Sequence, residues 1–213
     1  MLELTVDSTT QYLFEQVANA SLRQHCLNVG KCMKYYAEKL KSSEIKTDKF
    51  TEEEIQNINP EYWQIAGILH DSDWESSPDK HPAVIVQYLK SINFPIEIIQ
   101  AINSHADIDW INRENLSNEV EVVGGIIHRS IPRVRIMDKF LFACDELSGF
   151  IVAVGKVRPN GISDLEPKSV IKRLKEKSFA SGVNRDDIYK SIEEIGISLE
   201  EHIGFLIEAL KQN

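Results

Sequence analysis

A histidine and an aspartate stand together at the end of an apolar segment, Ile65-Ala-Gly-Ile-Leu-His70-Asp71. Burying an imidazole and a carboxylate costs several kcal/mol unless partners compensate. One such partner is a divalent cation, because imidazole nitrogen and carboxylate oxygen together suit zinc, manganese or iron. The alternative for an isolated His-Asp pair is a hydrogen-bonded helix C-cap. The dipeptide alone therefore leaves both a metal site and a cap open.

Two further residues of the same kind change this balance. His25 lies near the first turn of one predicted helix, and Asp145 lies inside the apolar segment 140–147, FLFACDEL. An acid within such a run is costly unless it is paired or ligates a metal. The context of these four residues, His25, His70, Asp71 and Asp145, therefore shifts the balance from a helix cap toward a metal site.

The ordered pattern of H, HD and D on separate helices resembles the HD superfamily of metal-dependent phosphohydrolases. The resemblance covers roughly residues 21–155, and the segments that begin at Asp145 and Val157 resemble those of uncharacterised bacterial HD-domain proteins. It implies an all-α fold, an HD-domain helical bundle with additional C-terminal helices. It also implies that the four residues above are the ligands of a first metal ion.

Two more histidines fit a larger version of this site. His81 precedes Pro82 at the start of one predicted helix, and His105 ends the next. The resemblance extends to the H-HD-H-H-D subset of the family, which implies a second ion on His81 and His105 with Asp71 as the bridge. The residues alone also allow His81 as a helix N-cap and His105 as a partner of the helix dipole. One or two ions are therefore expected, and Mn, Co, Mg, Fe, Zn and Ni are not distinguished.

The chemistry that the resemblance implies is hydrolysis of a small phosphate ester or nucleotide. A metal ion in such a site would lower the pKa of a bound water and polarise a phosphoryl oxygen. Asp71 and Asp73 are the predicted catalytic residues, Asp73 as a proton relay, and Glu75 is an alternative relay. For both relays the alternative is a solvated loop acid.

Basic residues are the candidates for binding the phosphate. After the HD pair the chain reads Ser72-Asp73-Trp74, where related proteins often carry a lysine that would contact phosphate, and Lys80 could substitute for it. Further candidate anchors are Arg133, Arg135, Lys139 and Arg158. For each of them, solvated charge or helix capping is the alternative.

Two histidines are left over by this assignment. His128 is expected on the surface or in a lid, and His202, on an acidic terminal helix, is expected to be exposed to solvent.

The positions of these residues depend on helices, because apolar residues recur at helical spacing almost throughout the chain. The stretch 107–132 differs, since its valines and isoleucines favour extended structure, and a small hairpin or lid is predicted there. We expect a single HD-type domain over residues 1–213, with a core at 21–155 and a C-terminal helical extension at 156–213. The predicted helices span 9–19, 22–40, 60–70, 82–91, 95–105, 134–154, 167–177, 185–195 and 199–211, with one more helix starting after Asp48 or Thr51.

The amino-acid composition limits the kinds of molecule that the protein is expected to bind. The net charge of -9 and the pI near 5.2 argue against binding of duplex nucleic acid, which needs clustered Lys and Arg. We find no signal peptide and no membrane span, and predict a cytoplasmic protein that binds a small phosphorylated molecule. Three cysteines without a CxxC pair predict buried thiols rather than disulfides. Oligomerisation is compatible with the sequence.

Two alternatives to hydrolysis stay open. Some HD-like proteins use the same six-ligand geometry in a di-iron oxygenase. The protein could also be a non-enzymatic metal-binding sensor or scaffold, whose charged C-terminal helices serve a partner.

Overall fold

The computed structural model describes residues 2–106 and 132–212, together with the backbone of two short strands between them. Helices form most of the described chain, which confirms the predicted all-α class. The helices are α1 (Val6–Gln16), α2 (Ala20–Lys41), α3 (Glu52–Gln56), α4 (Pro60–Leu69), α5 (Ala83–Ser91), α6 (Ile96–Ser104), α7 (Ile136–Lys156), α8 (Pro167–Leu174), α9 (Arg185–Ile195) and α10 (Leu199–Lys211), and a 3-10 turn spans Pro78–Lys80.

The two strands are β1 (Glu121–Val123) and β2 (Ile126–His128). They pair antiparallel, with Val122 opposite Ile127. This pairing lies within the segment for which a hairpin or lid is predicted. The lid itself and the side chain of His128 lie outside the described residues.

The crossing of α2 and α4 is built on two glycines. A Cβ atom added to Gly67 would lie 2.6 Å from the backbone nitrogen of Gly30 and 2.8 Å from the carbonyl carbon of Val29. Real Cβ atoms do not come this close to backbone atoms, so the two helices approach backbone to backbone. This close approach brings His25 on α2 next to His70 at the end of α4.

Side-chain caps fix where these two helices begin. The Asn19 side chain accepts hydrogen bonds from the backbone of Ser21 and Leu22 at the start of α2. Asn59 caps α4 in the same way, and Pro60 occupies its first position. Asparagine caps and a first-turn proline satisfy or remove backbone donors that have no partner within the helix. The predicted start of α4 at Pro60 is confirmed, and α2 begins two residues earlier than predicted.

The long helix α7 crosses the centre of the core. Phe140 of α7 packs against Tyr36 of α2 and Trp63 of α4, with ring centroids 4.8 and 5.3 Å apart. All three rings are buried. The stack fixes α7 against the α2 and α4 pair, and the same helix carries Asp145 one and a half turns further on.

The helices of the extension pack against this core, and one of them corrects a prediction. His202 of α10 is fully buried, not exposed as expected. Its Nδ1 accepts a hydrogen bond from the Tyr36 hydroxyl at 2.5 Å, and its Nε2 donates to the carbonyl oxygen of Ala143 at 2.9 Å. The imidazole thus connects α10 to both α2 and α7.

All three cysteines are buried and unpaired, as predicted. Burial raises the pKa of the Cys26 and Cys32 thiols to about 12, so both stay protonated near neutral pH. Among the described residues, no helix combines the length and apolar character that crossing a membrane requires.

Candidate metal centre

Helix ends and one helix interior bring the six predicted ligands together at a single pocket, which five of them line. His25 lies in the second turn of α2, Asp145 within α7, and His70 directly follows α4 with Asp71 next to it. The remaining two follow short elements: His81 ends the 3-10 turn, and His105 ends α6. They form two groups whose ligand atoms lie within 4.8 Å of one another, namely His25, His70, Asp71 and Asp145, and Asp71, His81 and His105.

The first group has four members, two histidines and two aspartates. His25 Nε2 lies 2.9 Å from Asp145 Oδ1 and 3.3 Å from His70 Nε2. His70 Nε2 in turn lies 3.4 Å from Asp145 Oδ1 and 3.4 Å from Asp71 Oδ2. Two imidazole nitrogens and two carboxylate oxygens therefore face one small volume, the donor set expected for a first-row divalent cation.

Asp71 belongs to both groups through different oxygens. Its Oδ2 faces His70 and His25, at 3.4 and 3.6 Å from their Nε2 atoms. Its Oδ1 faces the second pair, 3.2 Å from His81 Nε2 and 3.5 Å from His105 Nε2. The carboxylate thus lies between the two groups, with one oxygen facing each of them.

The hydrogen bonds on the far side of the rings show that the pocket suits cations. His70 Nδ1 lies 2.7 Å from the carbonyl oxygen of Gly67, and His105 Nδ1 lies 2.6 Å from that of Ile102. A carbonyl oxygen can only accept, so both Nδ1 atoms carry the proton. In the neutral rings both Nε2 lone pairs then point toward carboxylate oxygens and other imidazoles. Such crowded acceptors need a cation among them, and carbonyl-anchored imidazoles are typical of metal ligands.

The pKa shifts within the cluster describe the same demand for positive charge. Burial alone would lower the pKa of His70, but the carboxylates of Asp71 and Asp145 raise it well above its ordinary value. Burial raises the pKa of Asp145, and His70 and His25 outweigh it and hold that pKa far below its ordinary value. A proton on His70 thus supplies the positive charge when no metal ion is bound.

Asp73 occupies a different place from the proton relay predicted for it. It is buried, and its Oδ1 lies 2.6 Å from His81 Nδ1 while its Oδ2 accepts from the Ile85 amide at 2.9 Å. It is not among the residues that line the pocket. Asp73 therefore orients His81 from behind, as second carboxylates behind metal-ligating histidines do.

Glu75, the alternative relay, contacts the chain near the start of α2. Its Oε2 accepts hydrogen bonds from the amides of Ala18 and Asn19, at 2.7 and 3.0 Å. These amides lie in the turn between α1 and α2. Glu75 therefore stabilises this turn rather than facing the metal ligands.

The pocket above the ligands has a volume of about 520 Å³. Besides five of the six ligands, it is lined by Trp74, Ala106, Phe142, Glu146, Gly149, Val183, Asn184 and Asp187. Sequence reasoning missed Glu146, Asn184 and Asp187. Only Glu146 carried a signal, because it follows Asp145 in the same apolar run. Burial and the neighbouring Asp145 raise the pKa of Glu146 to about 7.

The predicted phosphate anchors lie elsewhere. Among the described residues that line the pocket, none is Lys or Arg. Lys80 is half-buried in the 3-10 turn, Arg158 pairs with Asp164 at 3.0 Å, and Lys139 lies over the Phe50 ring.

The two remaining arginines lie at the start of α7. Arg135 is the N-cap residue of α7 and lines a separate groove together with Trp63. Arg133 pairs with Glu194, donates to the carbonyl oxygen of Ser104, and lies over the Phe142 ring at 3.6 Å. Arg133 thereby supports the end of α6 next to His105.

The comparisons with known proteins give one match. The family model described as HD domain matches residues 22–141. No curated protein and no solved structure matches the chain. The matched segment holds five of the six clustered residues; the sixth, Asp145, lies four positions beyond it.

Proposed function

The chain belongs to the HD-domain family, whose members are generally metal-dependent hydrolases, and from this premise we propose that it hydrolyses a small phosphate ester. The proposal includes nucleotides among the possible substrates. Its cofactors would be two divalent cations held by the two groups that share Asp71.

One observation carries the proposal: the two oxygens of Asp71 face different histidine pairs. A carboxylate between two cation sites is the arrangement that places two ions close together over one substrate phosphate. A purely structural site is usually closed by its protein ligands. Here five ligand residues instead line an open pocket of about 520 Å³, which leaves room for water and for a small molecule.

The residues of the chain have separable roles in this chemistry. His25, His70 and Asp145 would hold one ion, and His81 with His105 the other. When bound, the ions would supply Lewis acidity, which makes water a nucleophile near neutral pH and stabilises charge on phosphoryl oxygens. The carbonyl groups of Gly67 and Ile102 keep His70 and His105 in the tautomer that binds a cation. Asp73 does the same for His81.

The experiment that tests this function is a substrate panel. Protein purified without chelators and loaded in turn with Mn²⁺, Co²⁺, Mg²⁺ and Fe²⁺ should release phosphate from at least one phosphate ester or nucleotide. The variants His70→Ala and Asp71→Ala should lose this activity. Asp7→Asn, an exposed carboxylate in the first turn of α1, is the matched control and should retain it.

Unchanged hydrolysis in both ligand variants would contradict the proposal. Protein that binds the ions yet releases phosphate from no substrate would instead favour a metal-dependent sensor. Oxygen consumption by the iron-loaded protein would favour the oxygenase.

A further inference from the structure

The Nδ1 side of the His25 ring points to a second role for this residue. We propose that His25, besides holding a metal ion through Nε2, donates a hydrogen bond from Nδ1 to an oxygen atom in the alcohol part of the substrate. His25 would then determine specificity, favouring phosphate esters of hydroxylated alcohols over esters of plain alkyl alcohols. This second role rests on the hydrolytic function proposed above.

His25 differs from the other three clustered histidines in what its Nδ1 atom contacts. The Nδ1 atoms of His70 and His105 lie against backbone carbonyl oxygens, and that of His81 lies against the Asp73 carboxylate. His25 makes its polar contacts with the cluster through Nε2. Among the described residues, none accepts a hydrogen bond from its Nδ1. The fold thus anchors three of the four imidazoles from behind and leaves the fourth to a partner from outside the chain.

The His25 ring is accessible from the pocket. Of its side chain 23% is exposed, against 0% for His70, 4% for His81 and 2% for His105. His25 is also one of the residues that line the pocket. A molecule that enters the pocket can therefore reach this imidazole.

Gly149 leaves space beside the Nδ1 atom. It follows Asp145 by one turn of α7 and lies on the same face of that helix. A Cβ atom built on Gly149 would lie 3.6 Å from His25 Nδ1 and 3.9 Å from His25 Cε1, both ordinary contact distances. Gly149 lines the pocket as well. The Nδ1 edge of the ring and the space left by the missing side chain therefore adjoin each other at the pocket.

The chemistry of the imidazole defines what this space should hold. When Nε2 binds a cation through its lone pair, Nδ1 carries the ring proton and can only donate. Metal-ligating imidazoles nearly always donate this proton to an oxygen acceptor. The two ring nitrogens point in diverging directions, so an oxygen atom bound to the same metal ion lies on the opposite side of the ring. The acceptor therefore belongs to the part of the substrate beyond the phosphate.

A hydroxylated alcohol meets this requirement and a hydrocarbon chain does not. A hydroxyl oxygen accepts the proton of Nδ1, whereas a methylene group in its place would shield the N–H from water without pairing it. An unpaired donor that is shielded from water is unfavourable. The cation on Nε2 also polarises the ring, which strengthens the hydrogen bond that Nδ1 donates.

Matched phosphonates test the second role without requiring hydrolysis. The probes are terminal hydroxyalkylphosphonates with chains of two, three and four carbons, each paired with the alkylphosphonate in which a methyl group replaces the hydroxyl. The three lengths place the hydroxyl at increasing distances from the phosphonate. Titration calorimetry on Mn²⁺-loaded protein should find a pair in which the hydroxyl compound binds about tenfold more tightly, the effect of one hydrogen bond from a polarised donor.

A glycine variant locates the effect at His25. In Gly149→Ala the added methyl group would lie against Nδ1 and keep the hydroxyl away, so the affinity ratio of that pair should fall to nearly one. Gly204→Ala is the matched control, because a Cβ there would meet Pro167 Cγ at 3.7 Å, also an ordinary contact, on α10. It should keep the ratio. Both variants should bind as many Mn²⁺ ions as the wild type, and thermal unfolding checks that each is folded.

The outcomes separate this second role from the proposed function. Equal affinities within all three pairs, or no binding of any probe, overturn it. A hydroxyl preference that survives in Gly149→Ala, or that is lost in both glycine variants, overturns the assignment to Nδ1 of His25. A preference that only Gly149→Ala removes, in a protein that hydrolyses no ester, supports the hydrogen bond from His25 and contradicts the hydrolase alone.

Discussion

The protein buries imidazoles in two places with opposite electrostatics. In the metal centre, His70 faces the carboxylates of Asp71 and Asp145, which raise its pKa. In the core beneath α10, His202 faces a tyrosine hydroxyl and a backbone carbonyl, and burial lowers its pKa to about 4. The first imidazole attracts positive charge, whereas the second stays neutral.

The difference between the two regions lies in what the second ring nitrogen meets. Both ring nitrogens of His202 have a hydrogen-bond partner of suitable polarity, so the neutral imidazole needs neither a metal ion nor a second proton. His70 has a partner for Nδ1 only, and its Nε2 meets acceptors. A buried histidine is therefore a ligand candidate when one nitrogen is anchored and the other converges with acceptors on a pocket.

The largest expected effect comes from the shared carboxylate. Asp71→Asn should lower the affinity for both ions by roughly a thousandfold, because an uncompensated change in a buried charge cluster costs about 3–5 kcal/mol. Metal analysis after dialysis should then find almost no bound ion.

His81→Ala is the comparison for this prediction. It should remove only the second ion, because His81 contacts only one oxygen of Asp71. Loss of both ions to the same extent in the two variants would contradict the bridging position of Asp71.

Asp73→Asn should lower the affinity for the second ion alone. The carboxylate orients His81 through Nδ1, and removal of such supporting carboxylates lowers metal affinity about 10- to 100-fold. Competition with a chromogenic chelator would measure both affinities. A loss shared equally by the first ion would show that Asp73 supports the fold in general rather than His81.

The pH dependence of the unfolding free energy tests whether the buried His202 is neutral. Its pKa is about 4 when folded, below the ordinary value of about 6.5, so unfolding takes up protons between these values. Its contribution to stability is therefore complete above about pH 6.5 and is lost as the pH falls toward 4. Between pH 7 and pH 5 the loss should be about 2 kcal/mol.

Urea unfolding of the wild type and of His202→Gln at both pH values isolates this effect. The variant cannot be protonated at this position, so its stability should fall less between pH 7 and pH 5. Parallel losses in the two proteins would show that His202 is not the group responsible.

The smallest expected effect is that of Tyr36→Phe. Removing the hydroxyl leaves His202 Nδ1 without its donor, which should cost about 1–2 kcal/mol of unfolding free energy. The number of bound metal ions should not change. A change in metal content would show that the two regions are coupled through α7.

The ligands of the metal centre could be predicted from the sequence because they follow an ordered pattern on helices. An acid in an apolar helix and a histidine at a helix end both need partners, and the resemblance of the ordered H, HD and D pattern to a known family predicts that His25, His70 and Asp145 are partners of one another. The roles of Asp73 and Glu75 could not be found in this way, because they depend on how the loop after Asp71 folds back on Ile85 and on Asn19.

His202 shows a different limit. The acidic residues around it suggested a solvated helix, yet His202, Leu206 and Ala209 follow one another at helical spacing and are all buried. That spacing was a usable signal. The pocket-lining residue Asp187 carried no signal, because its distance from Asp71 along the chain gives no indication that the extension returns to the pocket.

Counting the bound ions per chain decides whether the six clustered side chains hold divalent cations. Protein purified without chelators and supplied with Mn²⁺ should retain two ions per chain by mass spectrometric metal analysis. Absence of bound metal under these conditions, with the protein folded, would show that the cluster is not a cation site.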